Sequence, residues 1–467
     1  MLRQWTFKIE LNADNKQVPI YKQLAEQIQE MIESGILKEG ELLPGGREIA
    51  QQLNVSRKTV LSAMDLLVFS GWLENRERVG LFVRHPNGKI VRNQMPAPVV
   101  SKPEQPVSAS VSSLVVDDGC PDTQLVPFKS LSSAFRQFFN RAARWQMLGY
   151  DSPLGNVKLR STVAQGICHE RGLKASAEQL MLTRGSQQAL YIMAHALLHP
   201  GDAIVMEKPG YHNARLAFES AGLQVIAIDV DEAGLQTDVL EKLLEENPSI
   251  KAVYLTPRYQ YPTTVTLSAT RRHHIVELVT RHGLLVVEDD FGCHFDFSEH
   301  HIKPLSVLLP PEHYVYIGTF SKIMAPALRL GFMVTTAAFI TRMGDYRKLV
   351  DMQGDNVMER AILDLIESGE LKRHIRKSQK LYRERLLYAS NLIQKELGNK
   401  VKYKKPHGGL ALWMEVPANV SEKLAQCGIS VKVETLSPKR FGIRLGYASM
   451  QKEQMDFLVE ALKKCLS

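Results

Sequence analysis

Lys322 stands at the end of Thr319-Phe320-Ser321-Lys322, directly after the strand-like run Tyr314-Val315-Tyr316-Ile317. A lysine whose pKa is lowered by its surroundings forms a Schiff base with a carbonyl compound. Taken alone, a lysine is nearly always a surface residue, so the weight comes from its neighbours. Thr319, Ser321 and Arg329 offer two hydroxyls and a guanidinium, which suit a single phosphate group. Glu288-Asp289-Asp290 closes a second apolar run at 284–287. A carboxylate at the C-terminal end of a strand in an open α/β sheet faces the ligand crevice. Asp289 is the expected partner of a protonated ring nitrogen, and Asp290 is the alternative. Gly185-Ser186-Gln187-Gln188 opens a helix after a short strand, where free backbone amides suit a phosphate. Tyr211, in Lys208-Pro209-Gly210-Tyr211, can stack on a flat ring.

An amine for an aldehyde, a carboxylate for a ring nitrogen, donors for a phosphate and a surface for the ring are the four requirements of pyridoxal 5'-phosphate. Protein groups orient and tune that cofactor, while the electron sink belongs to the cofactor itself. A metal is not expected. His294 with Cys293 and Asp296, the His300-His301 pair and the His273-His274 pair match no standard zinc spacing.

A second constellation lies near the N-terminus. Ser56 is a good N-cap, and Ser56-Arg57-Lys58-Thr59 opens the second helix of a helix-turn-helix pattern. A recognition helix places its N-terminal residues against base edges and phosphates. Arg57 can read guanine, whereas Ser56 and Thr59 can hold phosphate, and Lys58 joins them in the DNA contact. Arg47, just before this helix pair, would reach the DNA backbone. A basic hairpin that includes Arg78 and Gly80 would enter a minor groove.

The elements that must position these residues follow from periodicity. Leu24, Ile28, Met31 and Ile32 share one helical face that Gly35 ends. A short helix carries Arg47, Ile49 and Leu53, then Asn54-Val55 turns the chain. Val60, Ala63, Met64 and Leu67 form the buried face of a third helix. Trp72-Leu73-Glu74 and Gly80-Leu81-Phe82-Val83 bracket Arg76 and Arg78 as a hairpin, which completes a winged helix-turn-helix over residues 1–84. Pro96, Pro98, Pro103 and Pro106, followed by a serine-rich stretch, mark residues 85–115 as a linker. Over 116–467, apolar runs at 203–206, 225–228, 252–255, 284–287 and 314–317 alternate with helical segments. Such runs are hydrophobic on both faces and predict an α/β domain with a mainly parallel sheet. From about Met358 a long charged helix leads to Leu410–Met414 and Ile443–Gly446, a smaller C-terminal α+β subdomain.

Composition narrows the setting. The 467 residues are 44% hydrophobic and 23% charged, ordinary for a soluble globular protein. No apolar run approaches the roughly 20 residues that span a bilayer. Met1-Leu2-Arg3-Gln4-Trp5-Thr6 lacks the apolar core of a signal peptide. The expectation is a cytoplasmic protein without a membrane partner. The five cysteines form no CxxC pair, so neither a disulfide framework nor a zinc ribbon is expected. A net charge of +8 permits nucleic-acid binding without establishing it.

Three resemblances sharpen the reading. Leu43-Pro44-Gly45-Gly46-Arg47-Glu48-Ile49-Ala50 and Val55-Ser56-Arg57-Lys58-Thr59-Val60 resemble the GntR family of bacterial regulators over residues 20–84. Gly45-Gly46 replaces the small polar residues usual there, and Leu61 replaces a basic residue that many members carry on the DNA face. The ordered cofactor motifs resemble the class I and II aminotransferases, of PLP fold type I, over about 118–467. By that resemblance Tyr150, in Tyr150-Asp151-Ser152-Pro153-Leu154-Gly155, reaches the partner subunit's phosphate. Gln260 lies near the partner of the cofactor's 3'-oxygen, and Arg444 clamps a ligand carboxylate. Phe291 replaces a usual tyrosine that hydrogen-bonds that oxygen, and Thr264 replaces a glycine. Asn213 stands near Tyr211, where some relatives place an arginine. The whole chain is similar to the MocR subfamily. That resemblance implies a regulator with a degenerate aminotransferase site, assembled as a head-to-tail homodimer on double-stranded operator DNA. Its effector would be an amine, an amino acid or pyridoxal phosphate itself. The alternative is an active aminotransferase with a DNA-binding appendage.

Overall fold

The computed structural model describes residues 9, 11, 19–76, 80–84, 114–140, 145, 148–298, 302–437 and 440–466. The chain divides into two compact units, Met1–Val107 and Ser108–Ser467. Of the expected linker, residues 85–113 lie outside the described residues. Leu114–Val115 forms a short strand, β3, in the second unit.

In the first unit, α1 (Ile20–Glu33), α2 (Gly46–Gln52) and α3 (Arg57–Phe69) precede the hairpin strands β1 (Leu73–Arg76) and β2 (Gly80–Val83). The core forms where the periodicity places it. Leu24, Ile28 and Ile32 of α1 meet Val60, Ala63, Met64 and Leu67 of α3, with Ile49, Leu73 and Val83 closing the cluster. Each such fully buried aliphatic side chain contributes about 1.5–3 kcal/mol. Asn54 takes a left-handed φ of 52° and turns the chain between α2 and α3. β1 and β2 pair antiparallel, with Leu73 opposite Val83 and Arg76 opposite Gly80.

The second unit is built on an eight-stranded sheet. Its strands are β4 (Leu180–Thr183), β5 (Ala203–Lys208), β6 (Gln224–Asp231), β7 (Gly234–Leu235), β8 (Ile250–Leu255), β9 (Leu285–Asp289), β10 (Tyr314–Thr319) and β11 (Gly331–Val334). The spatial order is β4-β11-β10-β9-β8-β5-β6-β7. β5, β6, β8, β9 and β10 run parallel, while β11 runs antiparallel to β4 and β10. The apolar clusters pack on both faces of this sheet, which is why its strands lack polar alternation. A helix of 27 residues, Glu370–Glu396, leads to a four-stranded sheet that contains Ala411–Val416 and Arg440–Gly446. This smaller α+β subdomain has a hydrophobic cluster of its own. Leu114–Val115 pairs with Ile429–Ser430 at its side. Among the described residues, no helix is long and apolar enough to cross a membrane.

Candidate cofactor site and nucleic-acid interface

The parallel register brings the expected cofactor residues to one edge of the sheet. Ile317 of β10 lies opposite Asp289, and Leu255 of β8 lies opposite Glu288. The C-terminal ends of β8, β9 and β10 therefore coincide, and their following loops carry Gln260, Asp290 and Lys322. Gly331 opposes both Thr319 and Thr183, so Arg329 and the helix Gly185–Leu197 reach the same edge.

Lys322 donates from Nζ to the Gly119 carbonyl at 2.8 Å. Asp289 is buried. Its two oxygens meet the Tyr254 hydroxyl at 3.4 Å and the Ser186 hydroxyl at 3.5 Å, both long contacts between neutral donors and a carboxylate. Burial, and then the charge of Asp290, pushes its pKa up to about 7. Asp290 is engaged elsewhere. It pairs with Arg171 at 2.7 Å and Arg258 at 3.0 Å, and it accepts the Tyr316 hydroxyl at 3.0 Å. Arg258 also pairs with buried Asp296 at 3.0 Å. Two cations and two anions thus pair below the site, whereas Asp289 makes no ion pair within 4 Å among the described residues.

A phosphate-sized set of donors surrounds Gly185. Gly185 has φ +78°, and a Cβ there would stand 3.3 Å from the Arg329 guanidinium. Arg329 itself is left-handed, with φ 47°, and donates to the Arg184 carbonyl at 2.8 Å. The Ser321 amide donates to Thr319 Oγ1 at 3.1 Å, but the buried Ser321 Oγ has no hydrogen-bond partner. Gln187 donates to the Asn213 carbonyl at 2.9 Å, while its buried Oε1 also lacks a partner. Ser186 turns its hydroxyl to Asp289, so its amide is what it offers at the helix start. Orphaned polar atoms beside a positively charged cradle are what an absent anionic group leaves behind. The residues fit the phosphate, ring nitrogen and aldehyde of pyridoxal phosphate.

Tyr211 lies edge-on to Tyr261 with ring centroids 5.5 Å apart. The Arg444 guanidinium lies 5.2 Å from the Tyr261 ring and 5.9 Å from the Phe291 ring. Arg444 is buried and donates from Nε to the Asp118 carbonyl at 2.7 Å and from Nη1 to the Pro262 carbonyl at 2.8 Å. Gln260 is hydrogen-bonded within its own chain. Its amide nitrogen donates to the Pro209 and Tyr261 carbonyls, and its oxygen accepts from the Thr263 amide and hydroxyl. Those bonds hold its own turn and tie it to the loop at Pro209. In that turn Thr264 has φ 60°, a conformation that a β-branched residue rarely adopts and that a glycine would take freely. Tyr150 is 88% exposed.

Sequence reasoning missed several participants. Asp118 and Gly119 touch Arg444 and Lys322 through backbone carbonyls, which carry no side-chain signature. Tyr254 lies inside an apolar run and reads as core. Glu207, buried near Gln260, accepts the Thr256 amide and hydroxyl, and burial raises its pKa to about 7. Its place at the end of an apolar strand was the available signal. His294 is half-buried, and its desolvation lowers its pKa to about 4, which keeps the ring neutral. His300 and His301 lie outside the described residues.

In the first unit, Ser56 caps α3 by accepting the Thr59 amide at 3.1 Å, and the two hydroxyls share a further bond at 2.8 Å. Arg47, Arg57 and Lys58 are exposed. Arg76 lies over the Phe82 ring at 4.4 Å. Arg78 lies outside the described residues. Gly80 has φ +134°, so the backbone itself favours glycine here; a Cβ would also stand 2.8 Å from Leu42 Cδ1. Leu61 is exposed on α3.

A family model described as aminotransferase class I and II matches residues 118–462. One described as bacterial regulatory proteins, gntR family, matches residues 20–83. The chain is similar to the probable rhizopine catabolism regulatory protein MocR of Rhizobium meliloti, with 27% identity over 96% of this chain and 93% of that protein. It is also 27% identical to the HTH-type pyridoxine biosynthesis transcriptional regulator PdxR of Corynebacterium glutamicum, over 88% of this chain and 86% of that protein. Among solved structures it is similar to Pyrococcus horikoshii kynurenine aminotransferase, solved in complex with PMP. That similarity has a TM-score of 0.70 and 26% identity over 76% of this chain and 91% of the other.

Proposed function

This chain belongs to the class I and II aminotransferase family and carries a gntR-type head, and we propose that it is a MocR-type transcriptional regulator that senses an amine or amino acid through its aminotransferase-like unit. It binds pyridoxal 5'-phosphate. When bound, that cofactor supplies an aldehyde for an amine and an electron sink. Lys322 is the amine that would hold it, and Asp289 would face its ring nitrogen. Tyr211 would pack on the ring. The amides of Ser186 and Gln187, with Thr319, Ser321 and Arg329, would hold the phosphate. Gln260 keeps the adjoining turn in shape. Arg444 offers its remaining guanidinium face to an effector carboxylate, a task suited to arginine.

The observation that favours regulation over catalysis is Phe291. Its ring stands in the wall beside Arg444, where a phenol would hydrogen-bond the cofactor's 3'-oxygen. Binding needs Lys322, Asp289 and Arg444, but turnover also needs accurate tuning of the ring and proton transfer at the ligand's α carbon. The same retained residues support a second reading, a working aminotransferase with a DNA-binding appendage. Pyridoxal phosphate itself is a further candidate effector, in keeping with a relative named as a regulator of pyridoxine biosynthesis.

In the head, Arg57 and Lys58 would reach base edges while Arg47, Ser56 and Thr59 hold phosphates. Arg78 and Gly80 belong to the hairpin that would follow the minor groove. The working assembly is a homodimer in the cytoplasm, head to tail. Between Phe128 and Tyr150, the side chains of Phe128, Phe139, Trp145, Leu148 and Tyr150 are exposed, as a subunit interface requires. The exposed Tyr150 would complete the phosphate site of a second copy.

The test uses full-length protein and an operator selected from random-sequence DNA. An amino-acid panel and pyridoxal phosphate are titrated while operator affinity and cofactor absorbance are followed. The expected result is an affinity change of about five-fold or more with at least one of them. Sustained turnover with a keto-acid acceptor at roughly 1 per second or faster, with operator affinity indifferent to every compound, decides for the enzyme.

A further inference from the structure

Asp117 and Asp118 are neighbours with opposite uses. Asp117 spends its carboxylate on its own surroundings. Its Oδ1 accepts the Gly119 amide at 2.7 Å and the Cys120 amide at 2.6 Å, and its Oδ2 accepts the Ser449 hydroxyl. Asp118 has one neutral donor, the Tyr261 hydroxyl, at 2.8 Å from Oδ2. Arg444 is close enough to bond the Asp118 backbone carbonyl, yet it makes no ion pair within 4 Å with the carboxylate; its other bond runs to Pro262. The three groups that would receive an effector bracket this acid. Lys322 sits on the carbonyl of the next residue, Gly119. Tyr261, which holds Asp118, lies edge-on to Tyr211 and under Arg444. Asp118 is only partly exposed. A half-buried carboxylate with a single neutral donor is a charge awaiting a cation.

We propose that Asp118 is a specificity-determining residue and that the effector is a basic amino acid, whose carboxylate lies at Arg444 and whose side-chain ammonium lies at Asp118. This rests on the reading that the site takes an amino compound. A neutral side chain would leave Asp118 as it is, whereas an ammonium would satisfy it with a charge-assisted hydrogen bond. Discrimination of about ten- to one-hundred-fold is expected from one such contact.

The probes are lysine and ornithine against norleucine, which matches lysine in length without the charge, and against alanine and glutamate. Full-length protein loaded with pyridoxal phosphate is titrated with each, and the cofactor absorbance and operator affinity are read. Lysine or ornithine is expected to act at concentrations at least about ten-fold below norleucine. Asp118→Asn keeps an acceptor for the Tyr261 hydroxyl and removes only the charge, so it should abolish this preference while the cofactor band persists. Equal action of lysine and norleucine on the wild type overturns the proposal, and that comparison needs no variant. A preference that survives Asp118→Asn overturns it as well. In both cases the amino-acid-sensing reading stands. If none of the amino acids moves either signal, that reading fails and the proposal falls with it.

Discussion

Asparagine in place of Asp289 should stabilise the cofactor-free protein, and the gain should grow with pH. The carboxylate is buried and has only the long contacts to Tyr254 and Ser186 to replace its hydration. Burial, followed by the charge of Asp290, raises its pKa from the ordinary 3.8 to about 7. A folded state that holds its proton more tightly than the unfolded chain loses relative stability as pH rises between those two values. Below 3.8 both states are protonated and the contribution is intact; above 7 both are ionised and it is lost. The shift corresponds to about 4 kcal/mol in all, more than half of which falls between pH 5 and pH 8. Glu207 is raised by burial too, but it cancels in the difference between variant and wild type. The assay is denaturant unfolding of cofactor-stripped wild type and Asp289→Asn at pH 5 and pH 8. The variant's advantage should widen by roughly 2–3 kcal/mol at the higher pH. With the cofactor bound the sign reverses, because a protonated ring nitrogen supplies the missing cation, so the variant should release cofactor more readily. A stability difference that does not change with pH would refute the argument from burial. Retention of cofactor equal to wild type would remove Asp289 from the ring nitrogen.

Lys322→Ala should abolish covalent capture of the cofactor; borohydride reduction and peptide mapping of the wild type should place the label on Lys322, and label on another lysine would defeat the assignment. Arg57→Ala should weaken operator binding by about 1–3 kcal/mol and relax its sequence preference, with cofactor absorbance unchanged; a gel-shift titration at fixed salt that matches wild type would remove Arg57 from the interface. Gly80→Ala should destabilise the head by about 1–3 kcal/mol, because its φ of +134° is a conformation that a residue with a side chain rarely adopts; loss of operator binding with an unchanged melting profile would instead indicate a direct role in the DNA contact.

Periodicity and strand ends made much of this molecule legible. Leu24, Ile28, Ile32, Val60, Ala63, Met64 and Leu67 recur at helical spacing, and all are buried. The apolar runs ending at Asp289 and Thr319 could be read as parallel strands because neither face shows polar alternation. Their polar terminal residues then had one place to go, the crevice at the C-terminal edge. Contacts made by backbone carbonyls were not legible, which hid Gly119 under Lys322 and Asp118 under Arg444. Gln260 shows a different limit. Its position in the motif suggested a ligand contact, but only three-dimensional neighbours reveal its hydrogen bonds to Pro209, Tyr261 and Thr263. The choice between Asp289 and Asp290 was open in the sequence for the same reason. Arg171 is distant along the chain, and its pairing with Asp290 decides which carboxylate is already neutralised.

The geometry also indicates how occupancy of the site can bias the shape of the unit. A ligand shifts an equilibrium only by its differential affinity for two states. Arg444 belongs to the small subdomain, yet it holds the Asp118 and Pro262 carbonyls on either side of the crevice. A ligand carboxylate on the remaining guanidinium face would compete with those bonds. The loop after Asp289 is joined to the same subdomain by an antiparallel bridge between Asp296 and Gly408. Phe297 donates to the His407 carbonyl at 3.0 Å, and Gly409 donates to the Phe295 carbonyl at 2.7 Å. The small subdomain is therefore attached both at the effector arginine and at the loop that begins beside the cofactor carboxylate. Filling the first attachment changes the load on the second without any bond being made or broken in the ligand. A site arranged in this way can report occupancy without turnover, which is the separation that Phe291 favours.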